Sequence, residues 1–131
     1  MELSMRMLTA FLSFLLLSPS CSVVLAAKPR QPTAYPTEIQ GVWDLGPQSC
    51  RLPVNPDSDS PIHIEKNRLH GYEHEETPVS IKLVSNAPHA WVVSATSDIA
   101  PDVRTDDLYI LKGEHLVISD GESVKQYRRC K

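Results

Sequence analysis

The chain has 131 residues, with 13 lysines and arginines against 16 aspartates and glutamates, for a net charge of −3 and an isoelectric point near 5.9. That balance excludes general nucleic-acid binding, which needs a basic surface to displace counterions from phosphates. The length allows one domain with a modest core.

Residues 1–27 read as an export signal: Arg6 near the start, an apolar run from Leu8 to Leu17, the helix-breaking Pro19, and small residues at Ala26 and Ala27. Ser13, Ser18, Pro19, Ser20 and Ser22 interrupt the run, and Lys28, Pro29 and Arg30 follow it. It therefore falls short of the about 20 apolar residues of a spanning helix. Cleavage is expected just before Lys28 or Ala27, giving an exported protein, periplasmic or secreted, with no transmembrane anchor. Cys21 then leaves with the signal. The competing reading, a bacterial lipoprotein cleaved before Cys21, fits poorly with Ser18-Pro19-Ser20 ahead of it and the apolar stretch behind it. All three methionines and both phenylalanines lie in residues 1–27, so Val, Ile, Leu, Trp and Tyr must build the core, a set that favours strands.

Pro29, Pro32 and Pro36 make residues 28–39 an extended leader open to solvent. The domain, residues 40–131, begins with a strand over Gly41 to Leu45. The stretch PVNPDSDSP, Pro53 to Pro61, is loop by composition. Strands are then expected from Ile62 to Lys66, Leu69 to Glu75, Val79 to Val84, Trp91 to Thr96, Leu108 to Leu111, His115 to Ser119 and Val124 to Cys130. Gly71 is expected to form a bulge that turns both Leu69 and Tyr72 inward. Asp98 to Asp107 reads as a surface loop. Seven or eight short strands joined by hairpin turns predict an all-β fold, a small antiparallel up-and-down barrel.

In an exported chain the remaining pair, Cys50 and Cys130, reads as one disulfide that closes the barrel, since it lies just after the first strand and at the end of the last, the two elements that must meet. Free thiols or half a metal site are the alternatives, with no second cysteine or histidine at ligand spacing.

Five histidines raise the question of a metal. His70 and His74 are four residues apart, about 13 Å along a strand, too far to share one zinc ion. His63, His70 and His74 are the weak candidates, and no metal or cofactor is expected. Glu73, Glu75 and Glu76 could in principle supply a glycosidase acid and base, yet a charged hairpin face is the simpler reading. There is no nucleophile elbow or phosphate-binding glycine loop.

Gly41-Val42-Trp43 resembles the G-x-W opening of lipocalins and their calycin relatives, and Thr105-Asp106-Asp107 loosely echoes their T-D-x motif. The resemblance implies that Trp43 closes one barrel end and that a basic side chain of the last strand, Arg128 or Arg129, packs across it. The chain is about 50 residues shorter than those proteins usually are. In size, export and single terminal cysteine it is also similar to small periplasmic barrels that inhibit lysozymes. It lacks their Ser-Gly inhibitory loop, so that activity is not implied. The expected function is a monomeric, non-enzymatic, extracytoplasmic binding module that engages an unknown protein through loops or one barrel face. The alternative is a miniature calycin holding an apolar molecule in its mouth. An interior filled by Trp43, Trp91, Ile81 and Leu83 favours the first, an open cavity the second, and His and Glu side chains converging in one cleft would indicate an enzyme.

Overall fold

Alternating side chains build a computed structural model in which eight antiparallel strands close into a barrel, β1 to β8 in sequential order. It describes residues 27, 28, 30 and 32–131. The signal segment and Cys21 therefore lie outside the described residues, apart from Ala27. The strands are β1 (Gly41–Leu45), β2 (Ile62–Ile64), β3 (Leu69–His70), β4 (Glu75–Asn86), β5 (His89–Ser97), β6 (Ala100–Lys112), β7 (His115–Ser119) and β8 (Val124–Arg129). Closure comes from β1 against β8, where Trp43 pairs with Arg129 and Leu45 with Tyr127. Among the described residues no helix is long and apolar enough to cross a membrane.

The interior follows the period of two. Ile62 and Ile64 of β2 point inward with His63 outside, and Trp91, Val93 and Ala95 do the same on β5. Each large side chain taken fully out of water contributes about 1.5 to 3 kcal/mol before entropy is counted. Trp43, Trp91 and Ile81 belong to this core, whereas Leu83 is 49 % exposed. It follows Ile81 by two residues, but a register shift between Leu83 and Ser85 breaks the wall there.

The leader differs most from expectation. It is not open to solvent throughout: Tyr35 and Ile39 are 2 % and 0 % exposed and belong to the core, while Thr37 and Glu38 between them stay exposed. A short 3-10 turn, Thr37–Ile39, turns the chain into β1. Pro36 is extended, at φ −55° and ψ 141°, and the described part of the segment runs along the barrel. β3 pairs with β4 only at Glu75 and Glu76, leaving the rest of that β4 edge without β3. The leader covers part of the gap: Pro32 O accepts a hydrogen bond from Ile81 N at 2.8 Å, and Tyr35 N donates to Lys66 O at 2.8 Å.

Asp98 to Asp107 is also not a loop. Asp98 and Ile99 form a tight turn, and β6 begins at Ala100. Its partner β5 imposes the ladder: Arg104 pairs with Thr96 and Asp107 with Val93, while a register shift between Thr96 and Ser97 absorbs the stretch around Pro101. Gly71 makes no bulge. β3 ends at His70, Gly71 N donates to His74 O at 3.0 Å, and Tyr72 is 59 % exposed on the resulting turn. A side chain at residue 71 would collide with the His74 ring, 2.2 Å away at its nearest atom.

Candidate functional site

Two ends of the barrel concentrate its chemistry, and they differ in kind. At the closed end Trp43 is fully buried and its Nε1 donates to Ile39 O at 2.8 Å. The Arg129 guanidinium lies over its ring, 4.1 Å from the ring centre. Arg129 also donates from Nη1 to Gln40 O at 2.8 Å and from Nη2 to Glu38 O, and its Nε lies 3.4 Å from Glu114 Oε2. One planar fork thereby satisfies carbonyls at the end of the 3-10 turn and covers the indole. Gly41 is what lets it come so close. Its φ is +130°, and a Cβ there would sit 3.0 Å from Arg129 Nη1. Arg128 has a different place: it faces outward, and its Nε donates to Pro47 O at 3.0 Å.

Cys50 and Cys130 are bonded, with Cα atoms 4.3 Å apart. The bond reinforces the closure that β1 and β8 make by direct pairing, with Cys130 N also donating to Val42 O at 2.9 Å. It holds the long β1–β2 loop, numbers 46–61, against the end of β8, with Leu52 N donating to Lys131 O and Lys131 N to Cys50 O.

At the other end the barrel opens into a recess of about 290 Å³. Its inner surface includes Tyr109, Tyr127, Ile118 and Leu69, and its polar lining includes Glu76, Asp107, His74, Lys125 and Asp59. Glu76 is the second residue of β4, and Asp107 sits two residues from Tyr109 on the inward face of β6. Burial pushes the Glu76 carboxyl above its ordinary range, partly offset by His74, whose Nε2 is 3.5 Å from Glu76 Oε1. Asp107 is raised by burial and then by the charge of Asp120. Burial and the Glu76 charge push the Tyr127 phenol up to about 12, and Tyr109 is raised well above its usual value. Behind Tyr109, with 6.2 Å between ring centres, stands Tyr35. Its Oη is buried without a hydrogen-bond partner among the described residues, and Glu76 and Asp107 add to the burial that raises it.

The histidines do not form one cluster. His63 and His70 face each other across β2 and β3, ring centres 5.9 Å apart. His70 is held by Glu75 at 2.9 Å and Glu65 at 3.5 Å, on the outer wall. His74 turns instead to the recess. Among the described residues no group of three or more His, Cys, Asp or Glu side chains is arranged to hold a metal ion. The glutamates separate as well: Glu75 pairs with Arg68 at 3.0 Å, Glu73 sits on the turn at φ 56°, and only Glu76 lines the recess.

Sequence reading did not single out Asp107, Tyr35 or Tyr109 for the mouth. Asp107 carried one usable signal, its two-residue spacing from a core tyrosine on a strand. No protein family, no curated protein and no solved structure matches the chain.

Proposed function

We propose that this is an exported, non-enzymatic binding module that engages another protein at the mouth of its barrel, where it receives a basic side chain of the partner. The observation that carries the reading is the polar, acid-lined recess. Its volume is at the low end for small-molecule sites, about 300 to 1,000 Å³, and such sites are mostly apolar. An apolar guest would strand Glu76 and Asp107 without water. A lysine or arginine would supply donors and opposite charge to both carboxylates. The resemblance to calycins enters this proposal as architecture alone.

The convergence of His74 and Glu76 favours a second reading, a hydrolase in which a raised carboxyl acts as the acid.

Affinity capture with the exported chain, alongside titration with a fluorescent apolar probe, tests the first reading. The expected result is a protein partner bound in stoichiometric amount and released by the variant Glu76→Gln, with no saturable uptake of the probe. Saturable probe binding without a protein partner would instead establish the miniature calycin, and turnover of a captured substrate abolished by Glu76→Gln would establish the enzyme.

A further inference from the structure

The end opposite the mouth carries the reverse charge, although its basic residues are scattered in sequence. A shallow cleft there, of about 520 Å³, is bordered by Arg51, Arg128, Arg129 and Lys131. A second cleft, about 540 Å³, adjoins it through Arg128 and Glu114 and adds Lys112 and His115. Three segments meet at this face: the β1–β2 loop, the β6–β7 turn and the end of β8.

Among the described residues Glu114 is the one carboxylate side chain bordering either cleft, and it is occupied. It lies 3.4 Å from Arg129 Nε and 3.3 Å from Lys131 Nζ. Arg51 and Lys112 have no ion-pair partner among the described residues. Among the described residues Arg128 commits only its Nε, to Pro47 O, which leaves its two Nη groups as a fork suited to a phosphate. The loop bearing Arg51 is fixed by the Cys50–Cys130 bond and by the Leu52 N to Lys131 O bond of 2.9 Å. The backbone beneath Arg51 is therefore held before any ligand arrives, while the exposed side chains of Arg51 and Lys112 are ordered on contact. Acidic side chains predominate in the molecule as a whole, at 16 to 13, and although Asp44 stands opposite Arg128 on the β1–β8 ladder, the cations bordering the clefts outnumber the carboxylates there.

We infer that this face, built on Arg51, Lys112 and Arg128, docks the chain reversibly on the phosphate headgroups of an anionic lipid surface. Two adjoining shallow clefts suit an array of phosphates spread in a plane better than a single enclosed ion. Each basic residue near such a surface strengthens binding about fivefold, so three give a weak, salt-sensitive contact. The acidic mouth at the other end of the barrel then faces away from the membrane, and its repulsion is screened beyond about 10 Å at moderate salt. The inference is independent of the mouth reading.

Flotation of the full exported chain with vesicles tests it. Vesicles of phosphatidylcholine with about 30 % phosphatidylglycerol should carry the protein, and pure phosphatidylcholine vesicles should not. Binding should disappear at about 0.5 M salt. The double variant Arg51→Ala/Lys112→Ala, which leaves the Arg128–Pro47 bond in place, should bind about 25-fold more weakly with an unchanged melting temperature. The mouth variant Asp107→Asn should bind as the parent does. Equal binding to neutral vesicles, or no loss in the double variant, would overturn the inference. So would failure to float on the anionic vesicles. Saturable binding of inorganic phosphate with no vesicle binding would make the face a site for a soluble phosphate and would also refute the membrane assignment.

Discussion

The Arg129 guanidinium carbon stands 4.1 Å from the centre of the Trp43 ring, on the strand pair that closes the barrel. Arg129→Lys should lower stability by about 1 to 2 kcal/mol, because an ammonium can neither stack as a plane nor bond Gln40 O and Glu38 O together. Arg128→Lys should cost less, since its side chain makes one outer-wall bond. Urea denaturation followed by tryptophan fluorescence distinguishes the two.

Tyr35 connects a segment outside the strands to the barrel interior. Tyr35→Ala should cost about 3 to 5 kcal/mol, the usual range for removing a buried aromatic ring. Tyr35→Phe should be neutral or stabilising, because the phenol oxygen has no partner to lose among the described residues. Thermal melts of both variants check this, and a mild effect of Tyr35→Ala would mean that the leader is only loosely attached.

The disulfide closes a separation of 80 residues. Cys130→Ser should lower stability by about 2 to 5 kcal/mol, measured by denaturant titration against the oxidised parent. Because β1 and β8 also pair directly, the reduced protein should retain the circular dichroism of a β-barrel below its lowered melting temperature.

Glu76 and Asp107 are both raised by burial, so the folded state holds protons that the unfolded chain has already released. Their contribution is most favourable below the ordinary carboxyl range and is lost as pH rises through the raised values. Glu76→Gln should therefore stabilise the protein at neutral pH and flatten that dependence. Asp98 and Asp120 act in the opposite sense: backbone hydrogen bonds lower them, and their contribution is lost as pH falls through their depressed values. Melting temperatures across the acid range, parent against variant, report the difference.

The barrel was legible where one face alternates cleanly, as in Ile62-His63-Ile64 or the run into Trp43, and where Asp120-Gly121 turns a hairpin. It was least legible where a partner strand overrides local preference. Pro101 and the aspartates around it look like loop, yet β5 draws them into its ladder. The prolines of the leader correctly signalled extended chain but could not signal burial, because Tyr35 gains its environment from β6 and from the turn at Lys66. Gly41 and Trp43 were readable as a local motif, whereas the choice of Arg129 over Arg128 depended on the facing of β8 against β1. The mouth was hidden for a related reason. Asp107 and Lys125 come from strands distant in sequence from the His74–Glu76 stretch, and neither is unusual within its own.

Site-specific photocrosslinking in the full chain tests the binding account most directly. A crosslinker placed at the exposed Tyr72, which borders the recess, should form one discrete adduct with a protein partner, and the adduct should be lost on Glu76→Gln. A crosslinker at Val84, exposed on the β4 wall, should form none. Adducts from Val84 with none from Tyr72 would contradict the account and move the binding surface from the mouth to the outer wall.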